Sequence, residues 1–117
     1  MLQTKRIYDN RSEADGFRML VDRLWPRGVS KEKANVDFWL KDIAPSDGLR
    51  KWFAHDEKKW DDFKHRYYQE LAQKTKLVNL IREKSKQGNV TLLYGAKNQR
   101  FNNAVALKEY IDKAKSS

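Results

Sequence analysis

The chain contains no cysteine. Disulfides, thiolate zinc sites and cysteine nucleophiles are therefore excluded. No apolar run approaches the ~18 residues of a membrane span. The longest apolar clusters, around Met19-Leu20-Val21 and from Val90 to Tyr94, are strand-sized. Met1 to Arg6 has no apolar core behind its charges, unlike a signal peptide. Glycine-rich phosphate loops of the form G-x-G-x-x-G or G-x-x-x-x-G-K are missing. So is the G-x-S-x-G elbow that a serine nucleophile would need. His55 and His65 stand ten residues apart with no matching acidic or thiol cluster. A helical metal pair requires a spacing near four, so no metal is assigned and no cofactor is expected. The expectation is a soluble cytoplasmic protein with no membrane partner, in which no motif compels one reaction.

What is present fits one domain over residues 1–117, because 117 residues and 13.9 kDa leave no room for two. Hydrophobic residues make up 39%, enough for one core without covalent staples. The net charge is +9. That favours anionic company: nucleic acid, nucleotides or phosphorylated metabolites. The excess is uneven. Residues 1–60 hold 13 basic and 10 acidic groups, and the remainder 12 and 6. Lys74 to Lys86 carries five basic residues against Glu83 alone. It reads as a phosphate-tracking helix face or as a merely solvated one.

Periodicity divides the chain into short elements. Thr4 to Asp9 reads as a strand, Asn10 to Gly16 as a loop with Gly16 at the turn, and Phe17 to Leu24 as a second strand. Its continuous run Met19-Leu20-Val21 suits a sheet covered on both faces. Trp25-Pro26-Arg27-Gly28 breaks that strand. Ser30 to Ala34 forms a charged connector of about one turn. Asp37 to Ile43 reads as a short helix with Phe38 and Trp39 inward. Ser46 is the N-cap of the next helix, where Leu49, Trp52 and Phe53 recur at helical spacing. Asp56 caps a further helix whose stripe is Trp60, Phe63, Tyr67 and Leu71. Thr75 interrupts it before Leu77, Leu80 and Ile81, and Gly88 closes that segment as a helix C-terminal glycine. Val90 to Tyr94 is the strongest strand, Gly95 to Asn98 a loop, and Asn102 to Lys113 a final helix with Ala104, Leu107 and Ile111 inward.

A strand returning after a long helical crossover lies parallel to its neighbour. The expected fold is α/β: a small single domain with a short, mainly parallel sheet flanked by helices. The alternative is α+β with an antiparallel first pair, since seven loop residues are compatible with a hairpin.

In open parallel sheets, ligands sit beyond the carboxyl ends of the strands. Asp22 to Gly28 and Tyr94 to Asn98 should both arrive there, with Asn102 at the start of the last helix. Arginine holds a carboxylate or phosphate with two parallel bonds. A helix start adds free amides and a positive dipole end. Arg23, Arg27 and Lys97 are thus expected to converge on an anion, with Trp25 and Tyr94 covering its apolar part and Asn98 and Asn102 orienting it. Asp22 is the one candidate base, and its neighbouring cations should lower its pKa. Trp39, Trp52 and Trp60 lie on helical stripes and read as core.

These motifs resemble a known family. Gly16-Phe17-Arg18-Met19-Leu20-Val21-Asp22-Arg23-Leu24-Trp25-Pro26-Arg27-Gly28 is similar to the opening signature of the YeaO-like branch of the bacterial domain of unknown function 488 family. Ala44-Pro45-Ser46, Leu49-Arg50-Lys51-Trp52-Phe53 and Val90 to Asn98 follow in that family's order, so the resemblance spans nearly the whole chain. It implies a single α/β domain of unassigned activity. Broader relatives carry a Cys after the last strand and a Cys-His-Arg cluster at the following helix, and branch members often have His at the position of Asn103. Here those places hold Tyr94, Asn102 and Asn103, which weakens any thiol, redox or metal role. The leading expectation is binding of an anionic, phosphate- or nucleotide-like ligand by Asp22, Arg23, Trp25, Arg27, Tyr94, Lys97, Asn98 and Asn102. The alternatives are a nucleic-acid-binding protein using Lys74–Lys86, and a hydrolase or transferase with Asp22 as base. The sequence assigns no oligomeric state.

Overall fold

A strand of Val90-Thr91-Leu92-Leu93-Tyr94 carries one polar side chain, so both its faces and both its edges need cover. In the computed structural model, which describes residues 1–115, all five of these residues are buried. Four strands form one sheet: β1 (Leu2–Arg6), β2 (Phe17–Leu20), β3 (Phe38–Trp39) and β4 (Val90–Tyr94). Their order is β1-β4-β2-β3, and every neighbouring pair is parallel. The α/β expectation therefore holds. The hairpin alternative does not, because β4 lies between β1 and β2. Val90 faces Leu2 on one side and Phe17 on the other.

Five α-helices complete the described residues: α1 (Lys31–Ala34), α2 (Asp47–Phe53), α3 (Trp60–Leu71), α4 (Thr75–Gln87) and α5 (Asn103–Lys115). None is long and apolar enough to cross a membrane. Their starts follow the capping chemistry read above. Ser46 Oγ accepts from Leu49 N at 3.2 Å and opens α2. Asp56 accepts from Lys58 N at 3.0 Å in the 3₁₀ turn ahead of α3. The stripe Trp60, Phe63, Tyr67 and Leu71 is buried in full.

Side-chain alternation splits the sheet between two unequal layers. Met19, Val21, Leu92 and Tyr94 join the main core beneath the helices. Leu20, Leu93 and Ile7 face the other way, against Ala34 of α1 and the loop residues Trp25 and Val29. On that thinner side Arg18 is 2% exposed. Its three guanidinium nitrogens donate to Asp15 at 2.5 Å, Asn35 O at 3.0 Å and Ala34 O at 2.9 Å. Lys5 meets the same Asp15 carboxylate at 2.9 Å. A buried charge is tolerated only when paired and hydrogen-bonded in this way.

Three local expectations are corrected. Asp37 to Ile43 is not a helix but strand β3 followed by a 3₁₀ turn, Lys41–Ile43. Asp37 N donates to Arg18 O at 2.8 Å and Leu40 N to Leu20 O at 2.9 Å, so the edge of β2 captures this backbone. Phe38 is left 45% exposed, and Trp39 packs edge-on against Trp25 at 5.4 Å instead of on a helical stripe. The first two strands also end early. β1 stops at Arg6, where Asp9 N turns back to Arg6 O, and β2 stops at Leu20 with one further bond from Val21 N to Leu93 O. Gly88 does follow the last turn of α4 as its C-cap, but at φ 165° it is extended backbone open to any residue and not left-handed.

Gly16 is different. Its φ is 64°, and an added Cβ would lie 2.2 Å from Asn89 O. That carbonyl accepts from Phe17 N at 2.9 Å and brings β2 alongside the entry to β4. Gly16→Ala should therefore destabilise the fold by about 2–3 kcal/mol. A urea titration checks it: the midpoint should fall with little change in slope, and a midpoint equal to wild type would contradict the close approach.

Candidate functional site

Parallel strands deliver their carboxyl ends to one edge of the sheet, and the segments that follow them surround a cleft of about 410 Å³. Asp22 to Arg27 follow β2, Gly95 and Ala96 follow β4, and Tyr8 lies beyond β1. Asn102 and Asn103 come from the start of α5. Arg50, Phe53 and His55 come from α2 and its exit, beside Ala44 and Pro45.

Asp22 joins these pieces. Its Oδ2 accepts from Gly95 N at 2.8 Å and its Oδ1 from Asn103 Nδ2 at 3.1 Å. The same Asn103 amide donates to Val21 O at 3.0 Å, and Trp39 Nε1 donates to Asp22 O at 2.7 Å. The ends of β2 and β4 and the start of α5 thus meet on one carboxylate. Burial raises the Asp22 pKa, against the lowering effects of the Gly95 and Asn103 hydrogen bonds and of the His55 and Arg50 charges. This reverses the expected direction, because removal from water outweighs the cations nearby.

Five of the eight residues singled out in the sequence line this cleft: Asp22, Arg23, Trp25, Arg27 and Asn102. They differ in freedom. Arg23 is held by Pro45 O and Ala44 O, each at 3.3 Å, with Asp47 at 3.8 Å. Arg27 is exposed, and its guanidinium has no partner among the described residues. Trp25 donates to Val29 O at 2.7 Å. Asn102 is the N-cap of α5: Oδ1 accepts from Val105 N and Nδ2 donates to Asn98 O, each at 2.9 Å. The amide of Val105 is therefore already taken.

The other three do not line the cleft. Tyr94 is buried in the main core, where burial and the Asp9 charge raise its pKa. Asn98 shapes its own loop, accepting from Arg100 N at 2.9 Å and Phe101 N at 3.0 Å and donating to Glu57 at 2.8 Å. Lys97 is exposed on that loop. Arg27 therefore lines the cleft, whereas Lys97, exposed on the loop after β4, is not among the residues that line it.

Arg50, His55 and Asn103 also line the cleft; none had been singled out as a ligand residue, although Arg50 lies in the motif Leu49-Arg50-Lys51-Trp52-Phe53 and Asn103 at the position where branch members often have His. Arg50 pairs with Asp47 at 3.3 Å and remains exposed. His55 is held there by two consecutive left-handed residues, Ala54 at φ 45° and His55 at φ 60°. Such a conformation costs non-glycine residues roughly 1–2 kcal/mol each. The one available signal was the break at Ala54-His55-Asp56, which carries neither Gly nor Asn to announce a left-handed turn.

The basic run on α4 does not form one face. At 100° per residue its cations spread around the helix. Lys74 turns inward to Ala44 O at 3.1 Å, Lys84 lies over the Phe17 ring at 4.6 Å, and Lys86 pairs with Glu83 at 3.2 Å.

The sequence matches the family described as the inactive DUF488-N3 subclade over residues 1–117. The chain belongs to that subclade. Its DUF488 relatives include the uncharacterised protein YeaO of Escherichia coli (strain K12), 41% identical over 94% of this chain and 96% of its own. Uncharacterised proteins of Mycobacterium tuberculosis and Mycobacterium bovis are each 40% identical over 68% of this chain and 67% of theirs. No solved structure matches it.

The half-buried Asp22 and the buried Asp15 of this DUF488 domain should titrate with opposite consequences. Asp22 has a raised folded pKa, so its contribution to stability is full below the ordinary value of 3.8 and is lost as pH rises through the folded value. For Asp15, burial raises the pKa, but the bonds from Lys5, Ser12 N and Arg18 outweigh it and hold the carboxyl low. Its contribution is present above 3.8 and lost as pH falls through the folded value. Urea titrations from pH 3.5 to 7 should show wild type losing its advantage over Asp22→Asn as pH rises and gaining advantage over Asp15→Asn. The same sign for both would contradict the assignments.

Proposed function

We propose that this DUF488-N3 domain is a binding module for an anionic, phosphate-bearing ligand held in the cleft at the carboxyl ends of β2 and β4. One observation carries the reading. Arg27, Arg50 and His55 stand around a cleft of about 410 Å³, and the Arg27 guanidinium has no partner among the described residues. A guanidinium fork left open in this way suits an oxyanion. Trp25 and Phe53 line the same space and suit an apolar portion of the ligand. A subclade described as inactive accords with binding in preference to turnover. Asp22, the one carboxylate among the described residues that line the cleft, is engaged in holding the strand ends together. Nucleic-acid binding through α4 draws less support, because Lys74 and Lys84 turn onto the protein itself.

Phosphate compounds should raise the thermal midpoint of the wild type, by the equivalent of about 2.7 kcal/mol at a concentration one hundred times Kd. Arg27→Ala should leave the midpoint of the free protein within about 1 °C, because an exposed unpaired side chain contributes little to folding. It should lose most of the ligand-induced shift. If no phosphate compound stabilises the wild type, or if Arg27→Ala responds as fully as wild type, the binding reading is wrong.

A further inference from the structure

We infer that the ligand is bifunctional: a phosphate monoester whose body also presents a hydroxyl or amine donor to Asp22 and Asn103. The inference rests on the cleft being the anion site proposed above and concerns what else the ligand must carry. On the inner wall of the cleft every side-chain and strand-end donor described above already has a protein acceptor. Gly95 N donates to Asp22 Oδ2. Asn103 Nδ2 directs one hydrogen to Val21 O and one to Asp22 Oδ1. Those two acceptors also settle which way round the Asn103 amide sits, because the flipped form would set its oxygen against two oxygens.

What remains there is acceptor capacity. Each Asp22 oxygen takes one protein hydrogen bond and keeps a further lone pair. Asn103 Oδ1 has no partner among the described residues. The outer wall is the reverse. Arg27 and Arg50 present donors only and carry positive charge. A bare anion filling the cleft satisfies the arginines and meets a carboxylate at its other end. A ligand with an oxyanion at one end and hydroxyls or an amine at the other satisfies both walls. Asp22 is thereby a specificity residue as well as the tie between strand ends.

Two probes of nearly equal size separate these cases without any mutation: glycerol 3-phosphate, which carries two hydroxyls, and propyl phosphate, which carries none. By calorimetric titration of the wild-type protein, glycerol 3-phosphate should bind about tenfold tighter, since a hydrogen bond to a charged acceptor is worth at least that factor. Asp22→Asn, which replaces one acceptor by a donor, should bring the ratio towards one, while Arg27→Ala should weaken both probes alike. Equal affinity of the wild type for the two probes overturns the inference and leaves the anion reading standing. Binding of neither probe, nor of inorganic phosphate, overturns both. Should Asp22→Asn not fold, the ratio measured on the wild type still decides.

Discussion

The architecture depends on the pairing of β4 with strands on both of its sides. Five buried residues carry backbone groups that water cannot reach, and an unpaired buried amide or carbonyl costs as much as a lost hydrogen bond. β1 satisfies one edge and β2 the other. Because β4 comes last in sequence and lies between the two earlier strands, the intervening helices must cross the sheet to reach it. Most of them settle on one face, where Met19, Val21, Leu92 and Tyr94 supply the apolar surface. The other face is closed by α1, a loop and the Arg18–Asp15–Lys5 cluster.

That arrangement also makes the cleft. Parallel neighbours end at the same edge, and the residues following β2 and β4 are brought together there without any local sequence relation between them. Asp22 and Gly95 are linked by one hydrogen bond of 2.8 Å, and Asn103 joins α5 to the same carboxylate. Gly95 is closely covered at this point: an added Cβ would lie 3.2 Å from Asp22 Oδ2 and 3.5 Å from Pro26. The inner wall is consequently a packed, hydrogen-bonded unit, while the arginines opposite it stay open to solvent or ligand. The contrast between an acceptor-bearing inner wall and a donor-bearing outer wall is chemical as well as geometric.

Much of this was legible in residue order. The stripe of α3, the Ser46 and Asp56 caps, the strand at Val90 and the tight turn at Gly16 each follow from local chemistry that tertiary packing did not override. Asp37 to Ile43 was misread because four apolar residues in seven fit helix and strand alike, and the choice was made by two hydrogen bonds to β2. At the cleft, the stretch after β2 was recognisable from arginine, proline and tryptophan crowding a strand end. Lys97 holds a matching strand-end position after β4 but lies exposed on a loop organised by Asn98 and does not line the cleft. Arg50 lies in a motif shared with the family, but nothing near it or His55 in sequence indicates that α2 would end beside Asp22.

The sequence by itself determined the α/β class, the helical stripes and the strand end at which charged residues collect, because these rest on periodicity, capping and composition. Tertiary structure alone decided the strand order, the burial that raises the Asp22 pKa, and which cations share the cleft with it. Those properties depend on distances between segments far apart in the chain, and no local pattern encodes such distances.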